Sequence, residues 1–253
     1  MWMKEIARYI WSVWCMLIFA VLMLILFPIL VLAVVIGNER LIKAAHYWAT
    51  FTAKLSLFFF CVCVKVHNQQ LVDPNGQYIY IANHRSYLDA ILAGGVIPNF
   101  LKYLGKAEIL NWPILGFLMK HYYVAVWRND KANRSWSMQE MKEKVKTGCS
   151  FFICPEGTCN IGDEFFTAFY DGAFKLSLET GIPIVPLTFV NTGELMPRNS
   201  FLLLPGTVDV YWHEPILATN INREDLNEVK QKVQDIMRKD LLLHYPNGKY
   251  KTS

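Results

Sequence analysis

A chain of 253 residues is long enough for one large domain or a domain with an appendage, and its 53% hydrophobic content exceeds the roughly 45–50% of ordinary globular proteins. A net charge of +4, with no dense basic stripe interleaved with aromatics, argues against nucleic acid as a partner and suits a mildly basic face against anionic lipid. The six cysteines lack both the paired spacing of a zinc site and the pattern of a disulfide framework, so they read as reduced thiols of a cytoplasmic domain.

The hydrophobic excess lies near the N-terminus. Residues 11–37 carry no charge, and Ser12 is the only hydroxyl among them. The run is longer than the roughly 20 residues that cross a bilayer core. It is too long for a signal peptide and lacks a small-residue cleavage site after it. Pro28, which removes a helical hydrogen bond, is expected to kink it. The segment either spans the membrane or dips into one leaflet and returns. Residues 41–64 remain apolar but contain Lys43, His46 and Lys54, as expected of a helix lying in the interface and followed by a first strand. Basic residues flank the first segment on both sides, Lys4 and Arg8 before it and Arg40, Lys43 and Lys54 after it, which is compatible with both ends being cytoplasmic. Residues 1–60 are thus expected to be membrane-anchoring helices, and 61–253 one α/β domain.

Within that domain, strand patterns at 62–66, 78–82, 100–104, 123–127, 151–154, 184–190 and 208–212 alternate with helix patterns at 89–96, 108–120, 135–147, 172–180 and 223–243. Such alternation predicts a mainly parallel sheet flanked by helices, with antiparallel strands at an edge. Ligands of open sheets bind at the carboxyl ends of the strands. Four of those ends carry the most suggestive polar residues: His84 with Asp89, then Lys106, then Arg128, then Glu156-Gly157-Thr158. A histidine at a strand end, with an aspartate about one helical turn later, suits proton removal from an alcohol. Arginine, lysine and a glycine-loosened loop suit an anionic group such as phosphate. Taken singly, each has an ordinary explanation as a strand-end residue. Four on one edge outweigh it.

In order and spacing these blocks resemble the glycerolipid acyltransferase superfamily, of the 1-acylglycerol-3-phosphate (lysophosphatidate) acyltransferase type. His84 and Asp89 resemble its H-x4-D signature, and Pro155-Glu156-Gly157-Thr158 its acceptor-binding motif. Arg128 stands where its second block has an arginine, and Ile182-Pro183-Ile184-Val185-Pro186 resembles its fourth block. The stretches around Lys106–Glu108 and Gly172–Lys175 also follow the pattern. The resemblance implies that His84, oriented by Asp89, acts as general base on an acceptor hydroxyl that attacks the thioester of acyl-CoA or acyl carrier protein without an acyl-enzyme. It implies that Lys106, Arg128, Glu156, Gly157, Thr158 and Lys175 bind the acceptor head group, with no metal or bound cofactor. It further implies a membrane enzyme of phospholipid biosynthesis that makes phosphatidate, its catalytic domain on the cytoplasmic face. One departure stands out. The motif usually continues with an arginine, a phosphate contact, where this chain has Cys159, which leaves phosphate recognition to Arg128, Lys106 and Lys175 and keeps a lyso-aminolipid open as acceptor. A serine hydrolase or thioesterase using Ser86 lacks a Gly-x-Ser-x-Gly elbow, and a non-catalytic scaffold leaves the loaded strand ends without a purpose.

Overall fold

The computed structural model describes residues 2–107, 121–126, 131–198, 200, 202–222 and 224–250. Helix α1 (Trp2–Ile36) continues through Pro28 and is about 50 Å long at about 1.5 Å per residue. It ends at Gly37, whose φ of +69° is the left-handed value that glycine adopts without strain. Asn38 then caps α2 (Glu39–Phe59), its side chain accepting from the Arg40 N–H. The two helices therefore fold back as a hairpin. Ser12 ties α1 to the domain, accepting from the Leu203 N–H at 2.9 Å, and Cys15, Leu57 and Phe60 share a core with the sheet.

The sheet has seven strands in the order β1-β7-β6-β2-β5-β3-β4: β1 (Val62–His67), β2 (Ile79–Ala82), β3 (Leu101–Lys106), β4 (Tyr123–Val126), β5 (Ser150–Ile153), β6 (Ile184–Val190) and β7 (Gly206–Trp212). Strands β2 to β6 run parallel. The edge pair β1 and β7, parallel to each other, runs antiparallel to them. β2, buried at every position, sits between β5 and β6, as expected of a strand covered on both faces.

Side chains alternate across the pleat. Tyr80 and Ala82 face the core beneath α1, α2 and α3 (Leu88–Val96), whereas Ile79 and Ile81 face the core beneath α4 (Lys131–Val145), α5 (Gly172–Thr180) and α7 (Leu226–His244). A short helix, α6 (Thr192–Leu195), follows β6. The long C-terminal helix buries Val229, Val233, Met237 and Leu241, a stripe at i, i+4 spacing. Helix α4 begins four residues before the expected position, and the expected helix at 108–120 lies outside the described residues.

Candidate active site

The parallel strands deliver the carboxyl ends of β2 and β5 side by side. Where β2 stops, Asn83 takes over from the ladder: its buried amide donates to Phe189 O and accepts from Phe189 N, both at 2.8 Å. The chain is thus fixed to β6 one residue before His84. The turn then enters α3, whose first turn carries Asp89. That carboxylate is fully buried. Its Oδ2 accepts from the backbone N–H groups of Arg85 (2.8 Å) and Ser86 (2.9 Å) and from His84 Nδ1 (2.8 Å).

An ionised carboxylate only accepts, so Nδ1 carries the hydrogen and the neutral ring presents its lone pair at Nε2. Burial works against a charged ring, but the Cys154 side chain and the hydrogen bonds to Asp89, Cys154 and Cys159 outweigh it and raise the His84 pKa. The group is a proton acceptor held in one tautomer, at the strand end where ligands of such sheets bind.

The second turn follows β5. Glu156, 3% exposed, accepts from His84 N (2.9 Å) with one oxygen and from Thr167 N and Oγ1 with the other. Burial pushes its carboxyl up in pKa, against the donors that hold the charged form. Its carboxylate ties the turn after β2 to the connection after β5, one oxygen bonded to each. Gly157 is needed for two reasons, a φ of +71° and the Tyr170 ring, which a Cβ would meet at 2.8 Å. Thr158 is exposed, and its Oγ1 accepts from Arg198 Nη1 at 2.6 Å.

Cys159 points to the base instead of outward to a head group. It is 5% exposed, with Sγ 3.1 Å from His84 Nε2. The Asn160 N–H donates to His84 O at 2.7 Å and locks this register. Arg85 Nη1 fastens the continuation, donating to the carbonyls of Asn160 and Gly162.

Of the other expected residues, Lys106 ends β3, with only its backbone described, and Arg128 lies outside the described residues. Lys175 is exposed on α5 and pairs at 3.0 Å with Asp171, a carboxylate that it shares with Lys230. Ser86 is buried and donates to Met196 O at 2.7 Å, which removes it as a nucleophile. Two participants were not read from the sequence. Thr167 holds Glu156, and Arg198, in the loop after α6, supplies a guanidinium beside Thr158. Thr167 lies eleven residues after Glu156 in the same connection between β5 and α5, whereas Arg198 reaches the site only through the packing of a loop distant in sequence.

A family model described as Acyltransferase matches residues 63–190, half of the chain. A chloroplast 1-acyl-sn-glycerol-3-phosphate acyltransferase of Brassica napus is 30% identical over 77% of this chain and 56% of its own length. A lyso-ornithine lipid O-acyltransferase of Pseudomonas aeruginosa is 26% identical over 63% of this chain and 67% of its own. The crystal structure of the 1-acyl-sn-glycerophosphate acyltransferase PlsC from Thermotoga maritima superposes with a TM-score of 0.79 at 19% identity, covering 98% of this chain and all of that one. That likeness establishes the shared fold. The chain spans about half the length of the plant relatives it matches.

Proposed function

Because the chain belongs to the Acyltransferase family, we propose that it is a membrane-bound O-acyltransferase that moves a fatty acyl group from an acyl-CoA or acyl carrier protein thioester to the free hydroxyl of a lysophospholipid. The observation that carries this reading is the geometry of His84. Its Nδ1 is spent on a buried carboxylate, and its Nε2 faces the turn that follows β5. From there Nε2 takes the proton of the acceptor hydroxyl as the oxygen attacks the acyl carbon, and returns it to the departing thiol.

The preferred acceptor is 1-acylglycerol-3-phosphate, giving phosphatidate. Arg198, half-buried beside the exposed Thr158, supports a phosphate by restoring a guanidinium near the motif that lacks its usual arginine. Lys106 and Arg128 are proposed to complete the anion site. A lyso-aminolipid is the second reading, favoured by Cys159 and by the similarity to the lyso-ornithine lipid enzyme.

The N-terminal hairpin is proposed to seat the enzyme in the bilayer, with the catalytic domain on the cytoplasmic face, where soluble thioester donors reach it. Helix α1 is long and apolar enough to cross a membrane, and little of it is covered by the rest of the protein. Large side chains such as Leu24, Ile25 and Leu32, each over half exposed, cover surface that water would penalise. The catalytic chemistry requires no metal or bound cofactor.

The test is to offer lysophosphatidate and a lyso-ornithine lipid in turn to the full chain, with one acyl-CoA and one acyl carrier protein donor, and identify the lipid products by mass. Diacylated product from lysophosphatidate is expected. Free fatty acid as the sole product would overturn the transferase reading, and a strong preference for the aminolipid would replace the acceptor.

A further inference from the structure

At the amino ends of the parallel strands, the opposite end of the sheet from His84, the fold gathers positive charge. A cavity of about 120 Å³ opens there between the first turns of α2, the start of β3 and the end of α4, and Lys43, Lys102 and Lys144 line it together with Glu39, Phe100 and His121. Lys102 is the unusual member. It is 5% exposed, a depth that lysine seldom reaches without a charged partner. Its ammonium carries three N–H donors, yet among the described residues it meets one hydrogen-bond acceptor, the carbonyl of His121. It lies 5.5 Å from the centre of the Phe100 ring, and the Lys43 ammonium lies 5.9 Å from the same centre. Burial pulls the Lys102 pKa down to about 8, and Lys144 lowers it further against Cys149 and Glu140. Two carboxylates face this charge. Glu39 is exposed to solvent, and Glu140, on α4, keeps a buried Oε2 that has no hydrogen-bond partner among the described residues.

We propose that this cavity binds the phosphate group of an anionic membrane lipid, as a site separate from the one at His84. Three ammonium groups converging on one small cavity suit a phosphate, whose oxygens accept charge-assisted hydrogen bonds. The bound anion offsets the repulsion of like charges held together where little water reaches them.

The lipid as source of that phosphate follows from the walls of the cavity, and it rests on the reading that the N-terminal hairpin sits in the bilayer. Ile42, in the cavity wall, packs in one cluster with Val34 and Tyr122, so the cavity adjoins the turn between α1 and α2. Around that turn Val35, Ile36 and Leu41 are exposed. A head group held by the lysines therefore leaves its acyl chains beside apolar surface that water would penalise. The site fixes the amino end of the sheet to a negatively charged leaflet and makes membrane affinity depend on anionic lipid.

The experiment uses the full chain in detergent and reads bound ligand by native mass spectrometry. The probes are dioctanoyl phosphatidylmethanol, an anionic phosphodiester with no free hydroxyl to serve as acceptor, then dioctanoyl phosphatidylcholine and inorganic phosphate. Phosphatidylmethanol is expected to bind more tightly than the other two, and Lys43→Met and Lys144→Met each to weaken it about tenfold or more, on the scale of losing one charged hydrogen bond. Lys102→Met is expected to lose at least as much. Because Lys102 is buried, the two half-buried lysines keep the test independent of whether that variant folds. Acyl transfer in detergent is expected to persist in Lys43→Met and Lys144→Met; its loss in step with lipid binding would overturn the separation of the two sites. Equal affinity in wild type and all three variants would overturn the site itself. Phosphatidylcholine binding as tightly as phosphatidylmethanol would overturn recognition by charge, and inorganic phosphate doing so would overturn the lipid as source. A chain that binds phosphatidylmethanol through these lysines but does not float with anionic liposomes would support the phosphate site and sink the seating of the hairpin in the bilayer instead.

Discussion

Two histidine–aspartate pairs with nearly equal distances behave differently in this fold. At the end of β2, His84 Nδ1 meets Asp89 at 2.8 Å and leaves Nε2 to a second partner, Cys159. After β7, His213 meets Asp240 at 2.9 Å, but through Nε2, and Thr188 Oγ1 lies 2.9 Å from that same nitrogen while donating to the same carboxylate. The second cluster closes on itself and pins α7 to β6. The first is open. The division of the two ring nitrogens between an orienting acid and a reacting group separates a candidate base from a structural histidine; proximity to a carboxylate alone does not.

The comparison is broken most directly by deleting each ring. His84→Ala is expected to lower kcat/KM for acyl transfer by about 10²–10⁴-fold with the fold retained, whereas His213→Ala leaves it within about threefold. Parallel losses in both variants, measured with circular dichroism as the folding control, would mean that His84 is not special.

The orienting acids sharpen it. Asp89→Asn is expected to cost up to about 10⁴-fold in kcat, by the precedent of triads in which an amide stabilises the wrong tautomer. The pH profile gives an independent reading. Because the His84 pKa is raised, with burial overcome by Cys154 and the hydrogen-bonding partners, the basic form accumulates only as pH rises, and kcat/KM should climb through a limb above the ordinary histidine value of about 6.5. Asp89→Asn should bring the limb down. The same shift stabilises the folded protein below the unfolded pKa, a contribution lost as pH rises through the folded one. A limb unmoved by Asp89→Asn would show that the pair is not coupled.

The smallest effect is expected at the closed cluster. Thr188 is fully buried, and Thr188→Val keeps its shape while removing the hydroxyl that bridges His213 and Asp240. The expected loss is about 1–2 kcal/mol of unfolding free energy in denaturant titrations, with acyl transfer unchanged. A drop in activity larger than the drop in stability would tie this cluster to the chemistry and dissolve the contrast.

The two long terminal helices make the same point about context. In α7 every third or fourth residue is apolar, and that stripe is buried on the sheet. In α1 apolar residues surround the axis, and most remain uncovered. Both were legible as helices because periodicity and composition are local properties. Their different surroundings follow from whether one stripe or the whole circumference must leave water.

Much of the site was legible in the same local way. His84 and Asp89 are five residues apart across one strand-to-helix turn, so their pairing follows from chain geometry over a few residues. The need for glycine at 157 and the placement of polar residues at parallel strand ends also follow from short-range rules. Three roles were not legible. The clamp made by Glu156 was not read; Cys159 looked like a vacated phosphate contact and meets the base; Arg198 gave no sign at all. Each depends on residues 40 to 75 positions apart, brought together because β5 lies beside β2 and the loop after α6 folds over both. Strand order is settled by the packing of both sheet faces at once, and no single segment encodes it. By itself the sequence determined which residues were available at which strand ends and which helix would shun water. Only the tertiary structure decided which side chain each of them would touch, because those contacts are made between segments whose separation along the chain carries no information about their distance in space.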